Sequence, residues 1–252
     1  MRIAVVADIH GNLRALEAVI ADIKEMAPDL IVNLGDCVAG PLEPRECADL
    51  LMDLKWPTVR GNHDRYMDDM PRQEMLPMDG IARDALDPHH IDWLKNLPLT
   101  LDLAPEVLAF HAHPEQDDRL LLERPDATNF LLRHPDEIAQ DLGPTAARVL
   151  LCGHTHLPRC VALSDGRIVF NPGSVGYQAC DLGIPGHAIV QSGSPHARYG
   201  VIDRAQRGWT FSHRSVVYDW HAASARARSL GCDDWAYGVL HGTMPRIRGQ
   251  WS

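Results

Sequence analysis

Apolar positions along the first sixty residues change period in a regular order. Residues 2–7, Arg-Ile-Ala-Val-Val-Ala, make the short β-branched run of a buried strand. From Asn12 to Met26 the apolar residues Leu13, Leu16, Val19, Ile20 and Ile23 fall at helical spacing, and Pro28 ends the segment. Residues 29–34 predict a second strand. Residues 44–54 predict a second helix, with Pro44 in its first turn and Cys47, Leu50, Leu51 and Leu54 as its apolar stripe. A third strand begins at Thr58–Arg60. Strand, helix, strand, helix, strand in this order predicts a parallel sheet joined by right-handed crossovers.

Beyond this point the pattern changes. Residues 65–98 are polar and rich in Met and Pro, with helical parts at 81–86 and 90–97. They predict a cap-like insertion over one edge, in which Met67, Met70, Met75 and Met78 cover apolar surface. The second half is strand-rich: 99–103, 107–111, 148–152, 160–163, 168–170, 198–203 and 209–217 all predict strands. An Asp-Gly turn at 165–166 suggests a hairpin, and a helix is expected near 136–142. Residues 178–197 carry many Gly, Pro and Ser and predict a long loop. Residues 220–252 form a tail with one or two short helices before residue 240. No repeat or linker divides the chain, so 1–252 is expected to be a single domain.

Composition narrows the function. The chain has 252 residues, 45% hydrophobic and 23% charged, with a net charge of −10. That balance argues against a general binder of nucleic acid or of an anionic membrane, which needs a basic face. No apolar run approaches the roughly 18 residues of a membrane helix. The N-terminus lacks the basic start and cleavage site of a signal peptide. The six Cys show no C-x-x-C spacing, so reduced thiols and a cytoplasmic location are expected. The 14 His are the exception in an ordinary composition, because His is the commonest metal ligand.

Five predicted strand ends finish on metal-ligand types: Asp8-Ile9-His10, Gly35-Asp36, Gly61-Asn62-His63-Asp64, His111 and Gly153-His154-Thr155-His156. Open α/β sheets bind ligands outside the carboxyl ends of their strands. In D-x-H and H-x-H, strand alternation turns both ligands to one side. The carboxylate of Asp36 has lone pairs enough to bridge two cations. Mixed carboxylate, amide and imidazole donors suit Mn, Fe, Co, Ni or Zn better than Mg or Ca alone. His113 follows His111 by two, and both a pocket role and a plain hydrogen-bonded role are open to it. His89, His90, His134, His187, His196, His213, His221 and His241 show no ligand spacing and are expected mostly on the surface or in loops. Asp117-Asp118 predicts a solvated turn, and Cys37 a small buried neighbour of Asp36.

In this order and combination, the strand-end motifs resemble the motif series of the calcineurin-like metallophosphoesterases. Asn171-Pro172-Gly173-Ser174-Val175 and Ala197-Arg198-Tyr199 are similar to the bacterial and archaeal single-domain phosphodiesterase branch. The resemblance implies an α/β fold: a four-layer αββα sandwich of two mixed β-sheets flanked by helices. It implies that Asp8, His10, Asp36 and His156 hold one divalent metal. Asp36 would bridge to a second, completed by Asn62, His111 and His154. Asn62 and His63 would contact the phosphate, with His63 as general acid.

The implied activity is a binuclear-metal-dependent phosphoesterase, in which a metal-bridging hydroxide attacks a small or nucleotide-like phosphodiester. Mn is the first expectation for both metals, with Fe, Ni, Co or Zn as alternatives. The expected partner is a small phosphate-ester substrate, with no nucleic-acid or membrane partner. A phosphomonoesterase or a dinucleoside polyphosphate hydrolase on the same centre stays open. A non-catalytic interaction scaffold of the same fold is disfavoured by the presence of all seven ligand types and His63. One departure stands out. The protein serine/threonine phosphatases of this superfamily carry a second Asp and an Arg soon after Gly-Asp. Here the stretch is Gly35-Asp36-Cys37-Val38-Ala39-Gly40-Pro41. The carboxylate that would orient His63 is missing from its usual place, and Asp64, as an adjacent residue, is expected to point away.

Overall fold

The computed structural model describes residues 1–126, 129–181 and 189–245. The chain begins with β1 (Arg2–Val6), α1 (Leu13–Met26), β2 (Leu30–Asn33) and α2 (Pro44–Leu54), followed by three short helices, α3 (Asn62–Asp69), α4 (Pro77–Ala85) and α5 (Pro88–Lys95). Then come β3 (Thr100–Ala104), β4 (Val107–Phe110), β5 (Glu123–Asp126), β6 (Asn129–Leu132) and α6 (Pro135–Leu142). The remaining strands are β7 (Val149–Leu151), β8 (Arg159–Ala162), β9 (Ile168–Asn171), β10 (Ala179–Asp181), β11 (Ile189–Gln191), β12 (Ala197–Ala205) and β13 (Gly208–Val216). Helices α7 (Trp220–Ser229) and α8 (Asp233–His241) close the described chain.

Local chemistry accounts for the helix ends. The Asn12 side chain caps α1 by accepting from the Ala15 N–H at 3.2 Å. Ala27 ends it in the left-handed region, just before Pro28. Proline stands in the first turn of α2, α4, α5 and α6, where its missing N–H costs nothing. That is why α4 and α5 begin earlier than the apolar pattern of 81–86 and 90–97 suggests.

Two mixed sheets form the centre. The first has the order β13-β12-β1-β2, with β1 and β2 parallel and β1 and β12 antiparallel. The predicted third strand is reduced to a single parallel bridge between Asn33 and Thr58. The second sheet has the order β3-β4-β7-β9-β8, with β4, β7 and β9 parallel. Strand alternation sorts the side chains into layers. Ile3, Val5 and Ala7 meet Val107, Ala109, Val149, Leu151 and Phe170 between the sheets. Ala4 and Val6 face the opposite way, into the apolar cluster of the helices α1 and α2. Leu150 and Cys152 face out toward Ile138 of α6. The result is helix, sheet, sheet, helix, as expected. Met67, Ala82, Leu86, Ile91 and Leu94 of the 65–98 insertion join the same cluster as α1 and α2, and so does Trp235 of the tail.

Three local expectations are corrected. Residues 62–69, read as the end of the third strand and the start of the insertion with no helix assigned, form α3. The Asp64 carboxylate accepts from the Gly61 N–H at 2.9 Å and stabilises that helix start. The segment 178–197 is not all loop, because Cys180 pairs with Val190 in the β10–β11 ladder. Composition concealed these short strands. Residues 182–188 of that segment and 246–252 of the tail lie outside the described residues. Strands β5 and β6 pair in an antiparallel ladder that the sequence pattern did not show, and residues 127–128 between them lie outside the described residues. Among the described residues no helix is long and apolar enough to cross a membrane.

Phe170 tests the central layer. It is fully buried between the sheets, with its ring stacked on His213 at 4.6 Å and near Phe211 at 5.4 Å. Phe170→Ala is expected to cost about 3–5 kcal/mol, read as a lower urea midpoint with an unchanged slope.

Candidate metal centre

The parallel strands of both sheets point their carboxyl ends to one edge. Beyond β1 stand Asp8 and His10, beyond β2 Asp36, beyond β4 His111, and beyond β7 His154 and His156. The N-terminus of α3 supplies Asn62 and His63. These eight residues converge. Asp8, His10 and His156 bring ligand atoms within 4.8 Å of one another, as do Asp36, His111 and His154. His10 Nε2 lies 3.7 Å from Asp36 Oδ2, and His111 Nε2 lies 3.3 Å from the same oxygen, so Asp36 stands between the two groups. His154 Nδ1 is 3.1 Å from Asn62 Oδ1.

The backbone here is strained. Seven non-glycine residues have positive φ among those described, and five of them are Asp8, His10, Asp36, His154 and His156, at 49° to 70°. The other two, Ala27 and Lys55, end helices. Each left-handed non-glycine residue costs of order 1–2 kcal/mol, and such strain persists where the surroundings over-determine it. Hydrogen bonds supply that constraint. Asp8 N–H donates to Gly35 O at 3.0 Å and His10 N–H to Asp36 O at 2.9 Å. Gly176 N–H donates to Asp8 O at 3.0 Å, and Ser174 Oγ–H to the same oxygen at 2.8 Å. Asn171 Nδ2 donates to Gly153 O at 2.7 Å and holds the turn that carries His154.

The imidazoles are oriented from behind. His10 Nδ1–H donates to Ala39 O at 2.7 Å, His111 Nδ1–H to Leu34 O at 2.6 Å, and His156 Nδ1–H to Tyr177 O at 2.8 Å. Each Nε2 therefore turns inward, as metal-binding histidines are held. His10 Nε2 and His156 Nε2 face each other at 3.1 Å. Two ring lone pairs that close repel unless a cation lies between them. His111 Nε2 and Asp8 Oδ2 are buried with no hydrogen-bond partner among the described residues. These orphaned donors, in a mixed imidazole, carboxylate and amide set, fit borderline divalent cations.

Burial sets the charges. It lowers the pKa of His10 to about 4, against the pull of Asp36. It lowers that of His154 to about 3, with His111 adding to the effect. It depresses His156 as well, helped by His10. His111 goes the other way. Burial alone would lower it, but the carboxylates of Asp36 and Asp8 raise it to about 10. Asp36 stays low in spite of burial because His111 and His63 surround it, whereas burial and the nearby Asp36 raise Asp8.

Supporting residues escaped the sequence pattern. The buried Asp64 carboxylate accepts from Asp36 N–H and Cys37 N–H, both at 2.8 Å, and so clamps the turn that presents Asp36. It does not orient His63, as expected. Asp79, from α4, lies 2.9 Å from His63 Nδ1. Trp235 of α8 stacks on Tyr177 at 3.6 Å and stands edge-on to His10 at 6.0 Å. No local signal marks these three, since each acts across the fold.

Other expectations are settled more plainly. Asp117 is not a solvated turn residue, because it is buried and paired with Arg65 at 2.9 Å. His113 does not line the cleft. It is buried, and its Nδ1 accepts from the Glu115 N–H at 3.2 Å. His90 is not a surface residue but a buried part of the α5 start. Its Nδ1 accepts from Asp87 N–H, and its Nε2–H donates to Asp49 at 2.9 Å. That use of both ring nitrogens speaks against a metal on the Asp49, His89 and His90 group. Cys37 is buried with its thiol pushed well above the usual range by burial, so it is no nucleophile.

Residues 1–158 match the calcineurin-like phosphoesterase family, and the chain belongs to it. The family and the donor clusters together make it a metal-binding phosphoric ester hydrolase. A metallophosphoesterase from Sphaerobacter thermophilus is 25% identical, with a TM-score of 0.72 over 96% of this chain and 100% of that one. A hypothetical protein from Pyrococcus horikoshii OT3 is 18% identical and shares the fold, with a TM-score of 0.75 over 97% and 99%. An uncharacterized protein of Methanocaldococcus jannaschii is 29% identical over 196 residues, which are 69% of this chain and 76% of the relative.

Two outcomes follow for metal binding. A Cβ on Gly61 would lie 2.1 Å from Asp36 Oδ1 and 2.5 Å from its backbone N. Gly61→Ala should therefore weaken Mn binding by about 100-fold or more, measured as metal retained after gel filtration. His111 carries a proton at pH 7 in the metal-free protein, and a cation must displace it. Mn uptake at pH 7 should release protons from His111 and from Asp8, whose carboxyl burial raises to about 8, seen as buffer-dependent heat in calorimetry. The affinity should fall as the pH is lowered from 8 to 6.

Proposed function

We propose that the chain is a two-metal phosphodiesterase for small esters whose alcohol groups are uncharged and apolar or aromatic. The observation that carries this is the cleft above the two donor groups, about 210 Å³ in volume. Its floor is polar, with Asp36, Asn62, His63 and His154 among the lining residues. Its walls are mostly apolar, with Tyr66, Leu76, Met78, Leu120, Tyr177 and Cys180, and they include the carboxylates of Asp118 and Asp181. Among the described residues no Lys or Arg lines it. Leu76 is 51% exposed, an apolar surface that an ester substituent would cover.

Asp8, His10 and His156 would hold one cation and Asn62, His111 and His154 the other, with Asp36 shared. When bound, the two cations supply the Lewis acidity and the acidified water that phosphoester hydrolysis needs. The chain's own residues do the rest. The Asn62 amide, which lines the cleft, would donate to a phosphoryl oxygen. His63 is the acid: burial would lower its pKa, but Asp36 and Asp79 raise it to about 9. It is protonated at neutral pH, balances charge on the phosphoryl group and gives its proton to the departing alkoxide. A dinucleoside polyphosphate would bring several further negative charges to walls that offer no cation for them. A diester offers an uncharged substituent to the apolar walls and only one negative charge.

The Mn-loaded protein is expected to favour bis(4-nitrophenyl) phosphate over 4-nitrophenyl phosphate and over a dinucleoside tetraphosphate by about tenfold or more in kcat/KM, a difference of about 1.4 kcal/mol. Preference for the tetraphosphate would overturn the diester assignment. No turnover of any ester by a metal-loaded preparation would favour a non-catalytic role.

A further inference from the structure

Asp79 belongs to α4, within the 65–98 insertion that contributes no strand to either sheet. Its side chain is 1% exposed, and its carboxylate lies 2.9 Å from His63 Nδ1. Among the described residues its ion pair is with His63. A buried carboxylate is costly unless it is paired, so a packing role alone would be served better by an apolar residue such as Ala82, three positions on in the same helix. The helix is held by that apolar face. Ala82 and Leu86 pack in the cluster that contains Met67 of α3 and Ile91 and Leu94 of α5. Proline in the first turn sets its start. Just before Asp79, Leu76 and Met78 form cleft wall. One short segment therefore carries both wall and carboxylate.

We propose that Asp79 is a positioning residue that works through His63, which makes the insertion helix a working part of the catalytic site. Asp79 accepts the Nδ1–H of His63 and fixes the plane of the ring. With Nδ1 engaged, Nε2 is the nitrogen left for the cleft that His63 lines. The pairing fills the place left by the missing second acid after Gly35-Asp36. It does so from a helix 16 residues beyond His63 in the chain. The proposal rests on the acid role given to His63 above, and its test separates the two.

Asp79→Asn, Asp79→Ala and Asp79→Glu would be made alone and with His63→Ala, and assayed with Mn on an alkyl diester and on bis(4-nitrophenyl) phosphate. Asp79→Asn and Asp79→Ala should lower kcat on the alkyl ester by roughly 10–100-fold and on the nitrophenyl ester much less, because nitrophenolate leaves without an acid. Asp79→Glu should recover part of the loss. In the His63→Ala background the Asp79 substitutions should add less than about twofold. In the metal-free protein, the nitrogen NMR signals of His63 should place a proton on Nδ1, and Asp79→Ala should alter them while the far-UV circular dichroism of the folded protein is unchanged. Full additivity with His63→Ala, or no loss in two folded Asp79 variants, would overturn the proposal. Equal losses on both esters in His63→Ala would remove the acid role of His63 alone. Non-additivity would then still establish that Asp79 acts through that ring.

Discussion

Asp8 and Asp36 stand buried at the ends of neighbouring parallel strands, with inward-facing imidazole nitrogens around them, and that concentration of lone pairs is the constraint on which the structure depends. Anionic oxygens and the unprotonated rings of His10 and His156, 3 to 4 Å apart, repel in a desolvated site unless positive charge lies among them. Among the described residues no Lys or Arg lines the cleft to supply it. Instead the chain spends hydrogen bonds on holding the donors. Asp64 grips the amides on either side of the Asp36 peptide, and Ala39, Leu34 and Tyr177 turn three imidazoles inward. Five left-handed ligand residues persist because those bonds leave them no other conformation.

The layers divide the work. The two sheets bring four strand ends to one edge and the start of α3 joins them, so the donors come from rigid elements, which hold a site more tightly than loops do. The outer helices add what the sheets lack. Helix α8 places Trp235 under Tyr177 and against His10, so the tail buttresses the site although it lies far along the chain. The 65–98 insertion supplies apolar cleft wall and the carboxylate at His63. On the proposed reading, metal binding and substrate choice would be carried by different parts of the fold, so a change in the insertion would alter the ester accepted and leave the donors intact.

Much of the site was legible along the chain because its logic is local. A β-branched run ending in Asp8-x-His10, or an apolar triplet leading into Gly153-His154-x-His156, states both the strand and the direction its ligands face. The helices α1 and α2 were equally plain from spacing, cap and proline. Short strands in a Gly- and Ser-rich stretch were not, since β10 and β11 gain their order by pairing with each other. His90 and Asp117 looked like solvent residues because a polar side chain carries no mark of its burial. Their partners, Asp49 and Arg65, lie about forty to fifty positions away.

By itself the amino-acid order determined the strand-helix alternation, the donor types and their place at strand ends, because periodicity and turn chemistry act over a few residues. Tertiary structure alone decided that Asp36 lies between the two donor groups, that Asp64 clamps the Asp36 turn, and that Asp79 meets His63. It also decided that the cleft walls are mostly apolar, with Asp118 and Asp181 among them. Those facts depend on how separate elements pack, and packing is set by the combined burial of α3, α4, α5 and α8 against the first sheet. No local pattern encodes a distance between two helices, and the pairing of Asp79 with His63 is one such distance.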